Sequence, residues 1–331
     1  MKGTVRIIGK LNGVGLSRDI AILQECLGGL GLQVEVLGIG RPDAALRRSA
    51  LRRWLSRRLS RQRPPELVAA NIMLEHVWPQ YLHSARQNVL VPNPEWLDHR
   101  DRRHLARIDR IWAKSAHALT LLDNLGNKGT LLGFDSLDRL DATVPRRREF
   151  LHLAGNSPMK GTHRVLECWY AHPEWPLLTV LGRPNGSWKP GQPAANIRLL
   201  TTYMEDSQVR EIQNANLFHV CTSEAEGWGH YIVEAMSCRA IVITLDAPPM
   251  NELVDAGRGL QLPAVAAGRH NMVERAQFPA QALAQAVDRA LGLDEREIAR
   301  LGGDAREWML ANKSGFPDRM RDAVGHLRGM D

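Results

Sequence analysis

Residues 217–237 read Leu217-Phe-His-Val-Cys-Thr-Ser-Glu-Ala-Glu-Gly-Trp-Gly-His-Tyr-Ile-Val-Glu-Ala-Met-Ser237. The run Leu217–Thr222 is apolar and of strand length. A loop follows in which Gly227 and Gly229 flank Trp228, and a helical pattern starts near His230. Strand, glycine loop and helix, in that order, aim free backbone N–H groups and the positive end of the helix at one point. That is the geometry of an anion site. Glu226 stands in the loop and Glu234 two helical turns on, so the spacing predicts that both carboxylates face one side. Carboxylates do not bind phosphate. Beside a phosphate cradle they accept hydrogen bonds from sugar hydroxyls. The bland reading, an exposed acidic helix face, does not account for the flanking glycines and strands.

The alternation extends outward on both sides. Strands are predicted at Phe150–Leu153, Leu177–Leu181, Ile197–Thr201 and Ala240–Thr244, and helices at Asp206–Ala215 and His230–Ser237. Lys160–Trp169 reads as a loop and helix. Upstream, Thr143–Arg148 reads as a linker, and an earlier series precedes it. Thr4–Ile8 is a strand, Lys10–Gly15 a glycine-bearing loop, and Ser17–Leu30 a helix with Ser17 as N-cap. Gln33–Leu37 alternates as a strand, and Leu67–Ile72, Asn88–Val91, Ile111–Ala113 and Thr130–Leu132 follow. Two β–α–β series in succession imply two doubly wound parallel sheets. The predicted domains are 1–145, 149–310 and a closing segment 311–331. From about Asp304 the pattern is helical, with a break near Gly315–Pro317.

Composition bounds the class. The chain has 331 residues, of which 44% are hydrophobic and 24% charged, in the range of globular α/β proteins. No run of about 18 apolar residues suggests a membrane span. The first residues lead directly into a strand without a signal-peptide pattern, so a cytoplasmic protein is expected. The four cysteines, Cys26, Cys168, Cys221 and Cys238, form no C-x-x-C pair and read as structural thiols.

Charge is uneven along the chain. Residues 1–150 carry 25 Lys and Arg against 15 Asp and Glu; the remainder carries 18 against 21. Eight arginines fall within Arg47–Arg63, interleaved with Leu51, Trp54, Leu55 and Leu59. This basic amphipathic pattern fits an anionic membrane surface as well as a solvated helix packed on its own domain. It argues against nucleic acid, because neither a recognition motif nor aromatic interleaving accompanies it.

The pattern E-G-W-G-x4-E-A-M over Glu226–Met236, followed by Pro249-Met-Asn-Glu-Leu-Val254, resembles glycosyltransferase family 4 and its retaining GT-B relatives. Leu153–Gly161 resembles the family's G-R-x4-K-G loop, with Lys160 in place and Asn156 where an arginine is usual. Arg239 stands where the family usually has glycine. The resemblance implies a GT-B fold, α/β with two doubly wound parallel sheets facing a cleft and a final helix crossing back. It implies transfer with retention from a nucleotide sugar bound by the C-terminal half. By resemblance, Glu226 contacts the donor sugar, Glu234 the ribose, and Gly227, Trp228 and Gly229 lie against sugar and diphosphate. Lys160, with Asn156 beside it, meets the diphosphate; Gly13 and Gly15 fit the family's first glycine loop. Trp228 and the two early glycines read equally well as a core plug and a tight turn.

The first half offers Glu75-His76 and Asn93-Pro-Glu95 after predicted strands, where α/β folds bind ligands. These residues are acceptor-side candidates, and His76 with Glu226 and Lys160 completes the catalytic set, either orienting an acceptor hydroxyl or receiving its proton. No D-x-D carboxylate pair is present to hold a divalent ion, so neither a metal nor another cofactor is expected. The expected partners are a nucleotide sugar and a glycan or lipid-linked acceptor. A nucleotide-sugar epimerase and a non-catalytic glycan-binding protein remain alternatives on the same scaffold.

Overall fold

The structure is a computed structural model that describes residues 3–11, 15–39, 67–123 and 129–327. Gly13 and Arg47–Arg63 lie outside the described residues. The chain divides into two compact units. The first comprises Met1–Lys114, Ala118–Leu132 and Phe316–Asp331, and the second Ser115–His117 and Gly133–Gly315.

The first unit is a six-stranded sheet of β1 (Thr4–Lys10), β2 (Gln33–Ile39), β3 (Val68–Glu75), β4 (Ala85–Pro92), β5 (Arg110–Ala113) and β6 (Gly129–Leu131), in the order β2-β1-β3-β4-β5-β6. Every pairing is parallel. Val5, Ile7, Ile8, Ile72, Met73, Val89 and Leu90 are fully enclosed, as strands covered on both faces require. The helix Gly15–Gly29 packs Ile20, Leu23 and Leu27 inward and starts ahead of the predicted Ser17 cap. Among the buried polar side chains, Asn71 donates to the Tyr81 carbonyl at 2.8 Å and to Asn88 Oδ1 at 3.1 Å.

The second unit repeats the plan with β7 (Arg147–Gly155), β8 (Leu178–Gly182), β9 (Ile197–Leu200), β10 (Asn216–Cys221), β11 (Ile241–Leu245) and β12 (Leu260–Leu262), ordered β12-β11-β10-β7-β8-β9 and again parallel. Phe150 on β7 stacks on Phe218 of β10 at 4.8 Å between centroids, and Trp169 meets Phe150 edge-on at 5.1 Å. An antiparallel hairpin of β13 (Val265–His270) and β14 (Val273–Gln277), absent from the sequence reading, follows β12.

Two boundaries differ from expectation. The second unit begins at Gly133, not at 149, because the segment ahead of the predicted linker is fastened to it. Arg139 N–H donates to Ser237 Oγ at 2.8 Å and its guanidinium to Gln213 Oε1 at 2.8 Å; Asp141 N–H donates to Asn214 Oδ1 at 2.8 Å. The final helix, Glu295–Gly325, passes through Pro317 without the expected break. Burial of Phe316, Met320 and Val324 holds its last turns in the first unit. That offsets the roughly 3 kcal/mol an interior proline costs a helix. No helix among the described residues is long and apolar enough to cross a membrane.

Candidate donor site

In the second sheet the chain runs outward from β7 through β8 to β9, then returns to the other side of β7 with β10 and continues to β12. The order therefore reverses between β7 and β10, and open α/β sheets bind ligands at the carboxyl ends of the strands flanking such a reversal. Both sequence motifs land there. Lys160 and Gly161 follow β7, and Glu226–Gly229 follow β10.

The two loops are fastened to each other. Glu224 N–H donates to the Met159 carbonyl at 2.7 Å, and Thr222 Oγ1 to the Lys160 carbonyl at 3.1 Å. Gly161 caps the helix Thr162–Ala171 at φ 67°, and a Cβ there would lie 2.6 Å from the Thr222 carbonyl oxygen. Gly229 caps the helix His230–Ser237 at φ 102°. Only glycine adopts these conformations without strain. The sequence thus brings two helix N-termini to adjacent strand ends.

His152 ties the strands beneath. Its Nδ1 faces the Val220 carbonyl at 2.8 Å and its Nε2 faces Thr162 Oγ1 at 2.9 Å. A carbonyl only accepts, so Nδ1 carries the proton and Thr162 donates to Nε2. Burial, with help from the Lys160 charge, lowers the pKa of this imidazole from 6.5 to about 4.

Between the loops, the Lys160 ammonium and Glu226 Oε1 form an ion pair. Ser223 Oγ donates to the same carboxylate oxygen at 2.6 Å, and Tyr231 Oη lies 2.6 Å from Ser223 Oγ. Ser223 has one proton and gives it to the carboxylate, so Tyr231 donates to Ser223. The Ser223 N–H in turn donates to Tyr231 Oη at 3.1 Å. Lys160 Nζ sits 3.5 Å from the centroid of the Tyr231 ring. Burial first, then the nearby Cys221 and Glu226, raise the Tyr231 pKa, so the phenol stays protonated.

The other predicted donor residues are placed as follows. Glu234 is buried, and Gln213 Nε2 donates to its Oε2 at 3.1 Å. Its partner differs from those of Glu226, which are Lys160 and Ser223. Trp228 is a buried plug whose indole N–H donates to Ser136 Oγ at 3.1 Å; at this position the loop offers backbone, not an exposed ring. Gly227 lies in the loop between them, buried. Asn156 is exposed, and its carbonyl accepts from Asn185 Nδ2 at 3.3 Å. Gly15 opens the helix Gly15–Gly29 in the first unit.

Glu224 was quoted in the motif without a role. Its carboxylate accepts from Arg275 Nε at 2.9 Å and Gln277 Nε2 at 2.8 Å, and the Ala276 N–H donates to its carbonyl at 2.9 Å. The β13–β14 hairpin therefore anchors the Glu226 loop from behind.

In the first unit the reversal falls between β1 and β3, and Glu75 and His76 sit at the end of β3. Glu75 has φ 65°, an uncommon backbone for a non-glycine residue. His76 Nδ1 is 2.9 Å from Asp101 Oδ2 and Nε2 is 3.1 Å from Glu75 Oε1. Burial pulls this imidazole down, but the hydrogen bonds and charges of Asp101 and Glu75 outweigh it and raise the pKa from 6.5 to about 9. Held this way, both ring nitrogens of His76 face carboxylates that favour its charged form. Asn93 Oδ1 accepts from Lys114 Nζ at 3.0 Å, and Lys114 forms a buried ion pair with Asp19. Glu95 is buried. Among the described residues, no group of three His, Cys, Asp or Glu side chains could hold a metal ion.

Two parallel doubly wound units, the second with a cationic and an acidic side chain at its switch point, define a GT-B fold. Sucrose-phosphate synthase from Thermosynechococcus elongatus superposes with a TM-score of 0.71 at 14% identity, over 99% of this chain and 100% of that one. A glycosyltransferase from Rickettsia africae gives 0.70 at 12%, over 100% of both. HepE from Anabaena, in complex with UDP and glucose, gives 0.66 at 15%, over 98% of this chain and 100% of that one. No curated protein matches in sequence. Residues 146–306, just under half of the chain, match the family described as glycosyl transferases group 1.

Proposed function

We propose that the protein transfers a sugar from a nucleotide-sugar donor, with retention and without a metal ion. The observation that carries this reading is the Lys160–Glu226 pair at the β7/β10 switch point, beside the N-termini of two helices. A donor diphosphate would meet Lys160 and the free N–H groups of those helices, which stabilise charge as the leaving group departs. Glu226 would then accept from hydroxyls of the donor sugar, and Glu234 from the ribose. With Asn156 in the usual arginine position, Lys160 is the cationic side chain that the β7 loop offers. The HepE complexes with UDP and with UDP-glucose make uridine donors the first to test.

On the acceptor side, Glu75, His76, Asn93 and Glu95 remain candidates to bind a glycan or lipid-linked acceptor. The basic segment Arg47–Arg63 supports a cytoplasmic protein that presents itself to an anionic inner membrane face. Co-sedimentation with anionic and neutral vesicles at two salt concentrations checks that part.

The deciding experiment is a thermal-shift panel of nucleotides and nucleotide sugars, followed by turnover of whichever donor stabilises the fold. No stabilisation by any nucleotide would sink the reading. Stabilisation without hydrolysis or transfer would favour a binding protein, and altered sugar without an acceptor an epimerase.

A further inference from the structure

One side chain is linked to both charges of the site. The Tyr231 ring lies beneath the Lys160 ammonium at 3.5 Å, within the range of a cation–π contact. Its hydroxyl reaches Glu226 through Ser223 in two links of 2.6 Å each. The three anchors come from different elements. Lys160 comes from the loop after β7, Ser223 and Glu226 from the loop after β10, and Tyr231 from the first turn of the helix that follows.

We propose that Tyr231 is the positioning residue of the donor site, holding Lys160 by its ring face and Glu226 by its hydroxyl through Ser223. The proposal rests on the glycosyltransferase reading given above and deepens it. Without donor, Lys160 and Glu226 neutralise each other. An arriving diphosphate competes for the ammonium, and Glu226 must let go of Lys160 without drifting. The Ser223 hydrogen bond, oriented by Tyr231, keeps the carboxylate pointed into the site after the ion pair opens. The ring does the same for Lys160, a long flexible side chain that would otherwise have to be ordered at the moment of binding. Two functions on one side chain are separable by mutation, because the ring and the hydroxyl can be removed independently.

Tyr231→Phe removes the hydroxyl and keeps the ring. Its affinity for UDP in calorimetry should stay within about twofold of the unmodified protein, while kcat for the donor falls about tenfold, the size of one lost hydrogen bond. Tyr231→Leu removes both and should weaken UDP binding several-fold as well. Ser223→Ala should reproduce the Phe variant. A second readout needs no donor. Reductive methylation of Lys160, followed by mass spectrometry, should be slow in the unmodified protein and the Phe variant and faster in the Leu variant. Equal losses of UDP affinity and kcat in the Phe variant would overturn the division of labour, as would unchanged kcat. If no nucleotide binds the unmodified protein, the functional reading fails. The methylation rates then still decide whether the ring holds Lys160, and equal rates in all three proteins refute it.

Discussion

Lys160 and Glu226, 66 residues apart in the chain, form an ion pair at the ends of adjacent strands. Both side chains are about 15% exposed, enough for a ligand to reach and too little for water to screen fully. The pair is therefore a competitor of any anion that Lys160 is to bind.

Glu226→Gln removes the competitor and keeps the shape. UDP affinity should be unchanged or tighter, while donor turnover falls by about a hundredfold, the scale of losing one charged contact to the reacting sugar. Calorimetry and steady-state kinetics on the same preparation check it. Weaker UDP binding would mean that Glu226 serves the nucleotide.

Glu234→Ala should act differently. It strips a buried acceptor from Gln213, which is itself fully buried. A loss of roughly 1–3 kcal/mol is expected in nucleotide affinity and a similar one in unfolding free energy. Glu234→Gln should recover most of the stability and little of the affinity. Unchanged affinity in both variants would remove the ribose role.

Activity should survive EDTA. The charge on a departing diphosphate has Lys160 and the helix ends at Gly161 and Gly229 to meet it. Loss of transfer on chelation, restored by Mg2+ or Mn2+, would refute the metal-free proposal.

Stability should fall at both ends of the pH scale for different reasons. His76 is raised to about 9 in the folded chain, so its contribution is complete below 6.5 and disappears as pH rises through 9. His152 and His219 are lowered to about 4, chiefly by burial. The unfolded chain therefore takes up protons that the folded one refuses between pH 6.5 and 4, and stability drops as pH falls through that window. Denaturant melts at pH 5, 7 and 9 check this, and His76→Gln should flatten only the alkaline side.

Gly161→Ala should cost about 1–3 kcal/mol and displace the Lys160 loop, because the backbone is left-handed and Thr222 occupies the Cβ position. Thermal unfolding together with UDP affinity reads both effects.

The parallel sheets were legible because strands buried on both faces are mostly apolar, as in Val68–Glu75 and Ile241–Leu245. The Glu226 loop was legible because its glycines and the helix after it are contiguous. What the sequence hid lies in contacts between distant residues. Arg275 meets Glu224 51 residues away, and nothing local marks β14 as the support of a site loop. Arg139 carries no local signal, yet it lies inside the second unit against Gln213. Tyr231 occupies a position where periodicity assigns only helix packing. Ser223, three residues before Glu226, was the nearest available signal for the relay. The unbroken helix through Pro317 was missed because local propensity opposes it, and only the burial of Phe316 and Met320 reverses the balance.

The allocation of Phe316 onward to the first unit bears on how the chain is made. A ribosome delivers the segment Met1–Lys114 well before the residues from Phe316 onward that belong to the same unit. The second unit, closed by residues up to Gly315, has all its parts sooner. The unit that is born first is thus finished after the second, and its apolar surface must wait while the second is translated. Loss of the turns that carry Phe316, Met320 and Val324 would leave that early unit incomplete while sparing the second.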